Sequence, residues 1–117
     1  MTPNPHTVDI RHSVAQAIDL MRDHRIRHLP VLSNGAVVGV VSERDITFGL
    51  ALNRKLMIAD FFTAAPYTVE PDTPLADVAE RMAEDRLGCA LIVETGKVVG
   101  IFTSTDACRV LARELRS

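Results

Sequence analysis

The chain has 117 residues and a mass of 12.8 kDa, is 47% hydrophobic and 24% charged, and carries a net charge of −2 with a pI near 6.0. That balance excludes a disordered polymer and leaves no bulk charge to draw the chain onto nucleic acid or an anionic membrane. No apolar run approaches the ~20 residues of a bilayer-spanning helix, and the opening Met-Thr-Pro-Asn-Pro-His lacks both regions of a signal peptide, so the expectation is a cytoplasmic protein.

In chain order, Thr7–Val8 reads as a short first strand. Val14, Ala17, Ile18 and Met21 recur at helical spacing behind Ser13, a good N-cap, and predict an amphipathic helix from Ser13 to about His24. Two β-rich runs follow, Leu29–Leu32 and Ala36–Val41, joined by Ser33-Asn34-Gly35. A Gly-containing turn between them predicts a hairpin, and their unbroken apolarity predicts strands covered on both faces. A second helix is expected from Ser42 to about Leu52, then a helical linker over 54–62.

The same series returns. Tyr67–Val69 is a first strand, and Leu75, Val78, Ala79 and Met82 form a helical stripe with Thr73 as cap and Pro74 as first helical residue. Ala90–Val93, Glu94-Thr95-Gly96 and Lys97–Phe102 form a second hairpin, and Thr103 to about Leu115 a last helix. Shifted by 61 positions without a gap, the chain matches itself at Thr2/Thr63, Thr7/Thr68, Val8/Val69, Met21/Met82, Arg25/Arg86, Gly35/Gly96, Gly39/Gly100 and Asp45/Asp106, among others. The chain is therefore two β-α-β-β-α repeats, 1–53 and 63–117, of an α/β fold related by pseudo-twofold symmetry. Each is too short to be secure alone, so one shared core is expected.

Each hairpin runs into its helix through one pattern, Gly39-Val40-Val41-Ser42-Glu43-Arg44-Asp45 and Gly100-Ile101-Phe102-Thr103-Ser104-Thr105-Asp106. Ser or Thr followed three residues later by an acid is a helix capping box, although Asp is shorter than the usual Glu or Gln. The same junction offers backbone N–H groups and a hydroxyl to a phosphate, and a carboxylate to the two hydroxyls of a ribose. Both readings stand on the residues alone.

Thr-Val, Arg27-His28-Leu29-Pro30-Val31, Gly-x-Val-Val-Gly and Ser/Thr-x-x-Asp together resemble a tandem pair of cystathionine β-synthase (CBS) domains, a Bateman module, over essentially the whole chain. Copy two is looser, with Gly88-Cys89-Ala90-Leu91-Ile92 in place of the Arg-His-Leu-Pro-Val segment. The resemblance implies a regulatory, non-enzymatic module that binds AMP, ADP, ATP or S-adenosylmethionine in clefts between its copies, forms homodimers, and acts on an effector protein or another portion of the chain. It implies a first cleft made by Arg27, His28, Ser42, Arg44 and Asp45 with Tyr67, Thr68 and Val69, and a second made by Thr103 and Asp106 with His6, Thr7 and Val8. Since Gly88 and Cys89 stand where the first copy has Arg27 and His28, the first cleft is expected to prefer phosphorylated nucleotides and the second to be weaker, empty or phosphate-free. The alternative is a ligand-free dimerisation scaffold in which the four junction residues only cap helices.

Other features carry less. His24 and His28 have the spacing of a helical metal pair but are expected on different elements, and no cofactor or metal is implied. The basic cluster Arg25-Ile26-Arg27-His28 lacks aromatic neighbours for a nucleic-acid surface. Asp77 and Arg81 are read as an i,i+4 pair, Cys89 and Cys108 as buried free thiols, and Phe61, Phe62 and Leu50–Leu52 as core or, failing that, a dimer face.

Overall fold

A computed structural model describes residues 2–53 and 55–117. Its elements in chain order are β1 (Thr2–Pro3), β2 (Val8–Asp9), α1 (Val14–His24), β3 (His28–Ser33), β4 (Ala36–Ser42), α2 (Glu43–Leu52), a 3-10 turn (Ile58–Asp60), β5 (Thr63–Ala64), β6 (Thr68–Val69), α3 (Leu75–Asp85), β7 (Cys89–Glu94), β8 (Lys97–Thr103) and α4 (Ser104–Arg116). The expected helical linker is thus a single 3-10 turn, preceded by an isolated antiparallel bridge from Met57 to Ser13.

The chain divides into two compact units, His6–Pro66 and Tyr67–Ser117 joined by residues 1–5. The first holds the sheet β2-β3-β4-β5 and the second the sheet β1-β8-β7-β6. Within each, a parallel pair is bridged by a helix, β2 to β3 through α1 and β6 to β7 through α3, and an antiparallel hairpin follows. The register slips at the same place in both hairpins, between Val31 and Leu32 and between Ile92 and Val93, so the duplication extends to a β-bulge.

Strands β1 and β5 have no sequence periodicity, and they were not expected. They occupy equivalent places in the two repeats, yet β5 pairs antiparallel with β4 of the preceding repeat and β1 with β8 of the following one. Each repeat therefore gives its first residues to the sheet built from the other repeat, which is why the compact units are offset from the repeat boundaries.

Local signals explain most element ends. Ser13 caps α1 in a full box with Gln16. At α3 the cap expected of Thr73 is not made: Pro74 is the N-cap residue, with no side-chain hydrogen bond, and its carbonyl takes the N–H groups of Asp77 and Val78. Arg25 and Arg86 end α1 and α3 in the left-handed conformation, φ 54° and 56°. Both hairpin loops have two residues of positive φ, Asn34-Gly35 and Thr95-Gly96, as a type I′ turn requires.

The core expected from chain length resolves into two clusters of buried side chains, one in each unit. Val8, Val14, Ile18, Met21, Leu29, Val31, Val41, Ile46 and Ile58 fill the first, and Val78, Met82, Ala90, Ile92 and Phe102 the second. Strands β3, β7 and β8 are buried at three or four consecutive residues, as unbroken apolarity predicted, whereas in β4 only Gly39 and Val41 are fully buried, at alternate positions. Two thiol and core assignments need correction. Cys89 is buried, but Cys108 is exposed, because α4 keeps only Asp106 fully inside; and Leu52 is 64% exposed on α2 rather than core. No described helix is long and apolar enough to cross a membrane.

Candidate ligand site

The junction between β4 and α2 is built by three elements. Strand β3 places His28 opposite Ser42 across the hairpin, β4 delivers Ser42 in extended conformation (φ −102°, ψ 160°), and the first turn of α2 carries Arg44 and Asp45. The Glu43 N–H donates to the Arg27 carbonyl at 2.7 Å, and the Asp45 N–H to Ser42 Oγ at 3.1 Å. The expectation of free backbone N–H groups for a phosphate is met only in part: two donors of the first turn are taken within the fold, and among the described residues the Arg44 N–H has no acceptor. With it remain the Ser42 hydroxyl proton, which a ligand acceptor can take, and the Asp45 carboxylate. Among the described residues that carboxylate has neither a hydrogen bond nor an ion pair.

The β8–α4 junction, formed by the same residue types, is in a different state. Thr103 Oγ1 accepts from the Asp106 N–H at 3.2 Å and Asp106 Oδ2 accepts from the Thr103 N–H at 2.9 Å, a closed capping box. Asp106 Oδ1 lies 3.6 Å from Arg109, and the residue is only 8% exposed. The shorter Asp does reach its cap. Both oxygens of Asp106 are occupied, whereas those of Asp45 are not. The backbone frame is otherwise repeated, since the Ser104 N–H donates to the Gly88 carbonyl at 3.1 Å, as Glu43 does to Arg27.

Electrostatics separate the copies further. Burial pushes the His28 imidazole below its ordinary value, with Arg27 adding to the push and Asp45 opposing it, so it is neutral near pH 7. Its counterpart Cys89 is pushed up to about 11 by burial and stays a thiol. Arg27 and Arg44 are both solvent-exposed.

Beside Asp45 lies an open cavity of about 250 Å³ lined by Asp45, Asp60, Phe61 and Phe62. Asp60, Phe61 and Phe62 were not among the expected site residues. Apolar character alone suggested core for the two rings, and only their place between the 3-10 turn and β5 marks them as flanking this junction. Phe61 rests against the backbone of α2, where an ideal Cβ on Gly49 would meet its ring at 3.3 Å, and lies 6.2 Å from the Phe48 ring.

The remaining expected residues fall as follows. Arg27, His28, Ser42, Arg44 and Asp45 are gathered in the His6–Pro66 unit, whereas Tyr67, Thr68 and Val69 belong to the other. Arg81 lies over the Tyr67 ring at 5.4 Å and pairs with Asp85, not with Asp77 as the spacing suggested. Val8 is 3% exposed and packs in the core of the His6–Pro66 unit. His6 stacks on His24 with ring centroids 3.7 Å apart, which ties His24 away from His28. Among the described residues no three His, Cys, Asp or Glu side chains are grouped to hold a metal ion.

A family model described as the CBS domain matches residues 1–51 and 58–113, one match to each repeat. The chain belongs to the CBS domain family. Among curated relatives of this CBS-domain chain, inosine-5'-monophosphate dehydrogenase of Korarchaeum cryptofilum is 36% identical over 101 residues, which cover 86% of this chain and 21% of that protein. The matched CBS segment thus spans about a fifth of a relative whose name denotes an enzyme. The CBS domain pair of MJ0100, solved with 5'-methylthioadenosine and S-adenosyl-L-methionine, superposes with a TM-score of 0.85 at 32% identity, covering 95% of this chain and 93% of that one. CBSX2 of Arabidopsis thaliana, solved with AMP, gives 0.83 at 28% identity, covering 100% and 95%.

Proposed function

We propose that this chain is a regulatory CBS-pair module that binds an adenosyl compound at the Ser42–Asp45 junction and passes its occupancy to a partner protein or to another portion of a longer chain, without catalysis of its own. The Asp45 carboxylate carries this reading, since among the described residues it has no partner, and it lies beside an open cavity in a fold whose relatives were solved with AMP, 5'-methylthioadenosine and S-adenosyl-L-methionine. A carboxylate needs donors, and the 2'- and 3'-hydroxyls of a ribose supply two. Ser42 adds a hydroxyl proton for a ligand acceptor, and Arg27 and Arg44 are the cations available to a phosphate. Thr103 and Asp106 are proposed to mark a second, weaker junction. Regulation would follow from differential affinity: the ligand favours one conformation, or one arrangement in a homodimer, in proportion to how much more tightly that state holds it.

The closed box at Thr103 and Asp106 favours a second reading, a ligand-free dimerisation scaffold whose junction acids serve only the fold. Thermal denaturation with AMP and 5'-methylthioadenosine separates the two. A binder gains RT ln(1 + [L]/Kd), about 2.7 kcal/mol at a hundredfold excess over Kd, and a scaffold gains nothing. The gain is expected to vanish in Asp45→Ala and to persist in Asp106→Asn; the reverse pattern would move the principal site to the second repeat.

A further inference from the structure

Among the described residues the cavity beside Asp45 is lined by two carboxylates and two phenyl rings, and by no basic side chain. Among the described residues neither Asp45 nor Asp60 is neutralised by an ion pair, and the His28 imidazole, which feels the charge of Asp45, is neutral near pH 7. Arg27, Arg44 and Asp60 are all exposed, so water and salt weaken the field of each alike beyond about 8–10 Å; what distinguishes Asp60 is its place in the cavity wall, at short range from anything held there. Phe61 lies close against Gly49 and 6.2 Å from the Phe48 ring while lining the cavity, and aromatic rings attract cations over their faces.

Resting on the adenosyl reading above, we propose that this site ranks its ligands by charge, favouring adenosyl compounds with a neutral or cationic 5' substituent over 5'-polyphosphates, and that Asp60 is the residue that sets the ranking. Asp45 serves any ribose alike, because it meets the diol. Asp60 is the second negative charge of the cavity and opposes a triphosphate brought to the same place. This reverses the preference for phosphorylated nucleotides expected from Arg27 and His28 in the sequence.

Isothermal titration of the full chain with S-adenosylmethionine, 5'-methylthioadenosine, AMP and ATP tests the proposal. Wild type is expected to bind S-adenosylmethionine and 5'-methylthioadenosine about tenfold or more tighter than ATP, and Asp60→Asn to narrow that gap several-fold by strengthening ATP while leaving the uncharged thioether within about twofold. Equal or tighter binding of ATP by wild type overturns the proposal, as does an equal shift of all four ligands in Asp60→Asn, which would mark Asp60 as a fold residue. Circular dichroism of the variant confirms that it is folded. If none of the four binds wild type, the adenosyl reading itself fails, an outcome distinct from a reversed ranking.

Discussion

His28 and Cys89 occupy the same place in the two repeats, each opposite the hydroxyl residue that caps the next helix. Only one of them titrates near neutrality. Because burial lowers the folded pKa of His28 below 6.5, the unfolded chain takes up this proton first as the pH falls. The stability that His28 contributes is therefore complete above about pH 6.5, declines as the pH drops below it, and levels off once the folded imidazole is protonated too. Melting curves of wild type and His28→Gln between about pH 7.5 and about pH 5 should diverge, with the wild type losing more on acidification. Parallel curves would mean that His28 is not desolvated in the fold. The occupied carboxylate of Asp106 and the unpartnered one of Asp45 make a second contrast at this scale. Ser/Thr-x-x-Asp reads identically in both repeats, so the sequence carries no sign of which acid closes on its own cap.

At the scale of elements, the two hairpin loops form a natural experiment. Asn34 and Thr95 both sit at positive φ, 53°, in otherwise matched turns. Asn tolerates that conformation through its short polar side chain, whereas the β-branched Thr crowds its own backbone. Thr95→Asn is expected to raise stability by about 0.5–1 kcal/mol and Asn34→Thr to lower it by a similar amount, read from urea midpoints at constant slope. If neither midpoint moves, the loops relax around either residue. These hairpins were legible in the sequence because apolar runs and glycines punctuate them, and the helices because Val14, Ala17, Ile18 and Met21, or Val78 and Met82, recur at helical spacing. Strands of two residues have no period to read, and Pro3 counts against a strand, so β1 and β5 were hidden. Phe61 and Phe62 were hidden for another reason: an aromatic ring lining an open cavity and one sealed in a core have the same letter.

For the whole molecule, the exchange of first strands decides which part depends on which. Residues 1–5 precede the His6–Pro66 unit in the chain but belong to the other unit, where Thr2 and Pro3 lie beside Ile101 and Gly100 and the Asn4 N–H donates to the Val99 carbonyl at 3.1 Å. Deleting residues 1–5 should cost the far unit a few hydrogen bonds at about 1 kcal/mol each. Hydrogen exchange should then show faster exchange along β8 near Val99–Ile101, with β3 and β4 unchanged. Loss of protection confined to β2 and β3 would contradict the pairing. The same crossing bears on ancestry. A lone half-length polypeptide, with its leading segment reaching out and an unfilled sheet edge left behind, satisfies both only by trading ends with a twin, so gene fusion would turn an obligatory encounter between molecules into a concentration-independent step within one.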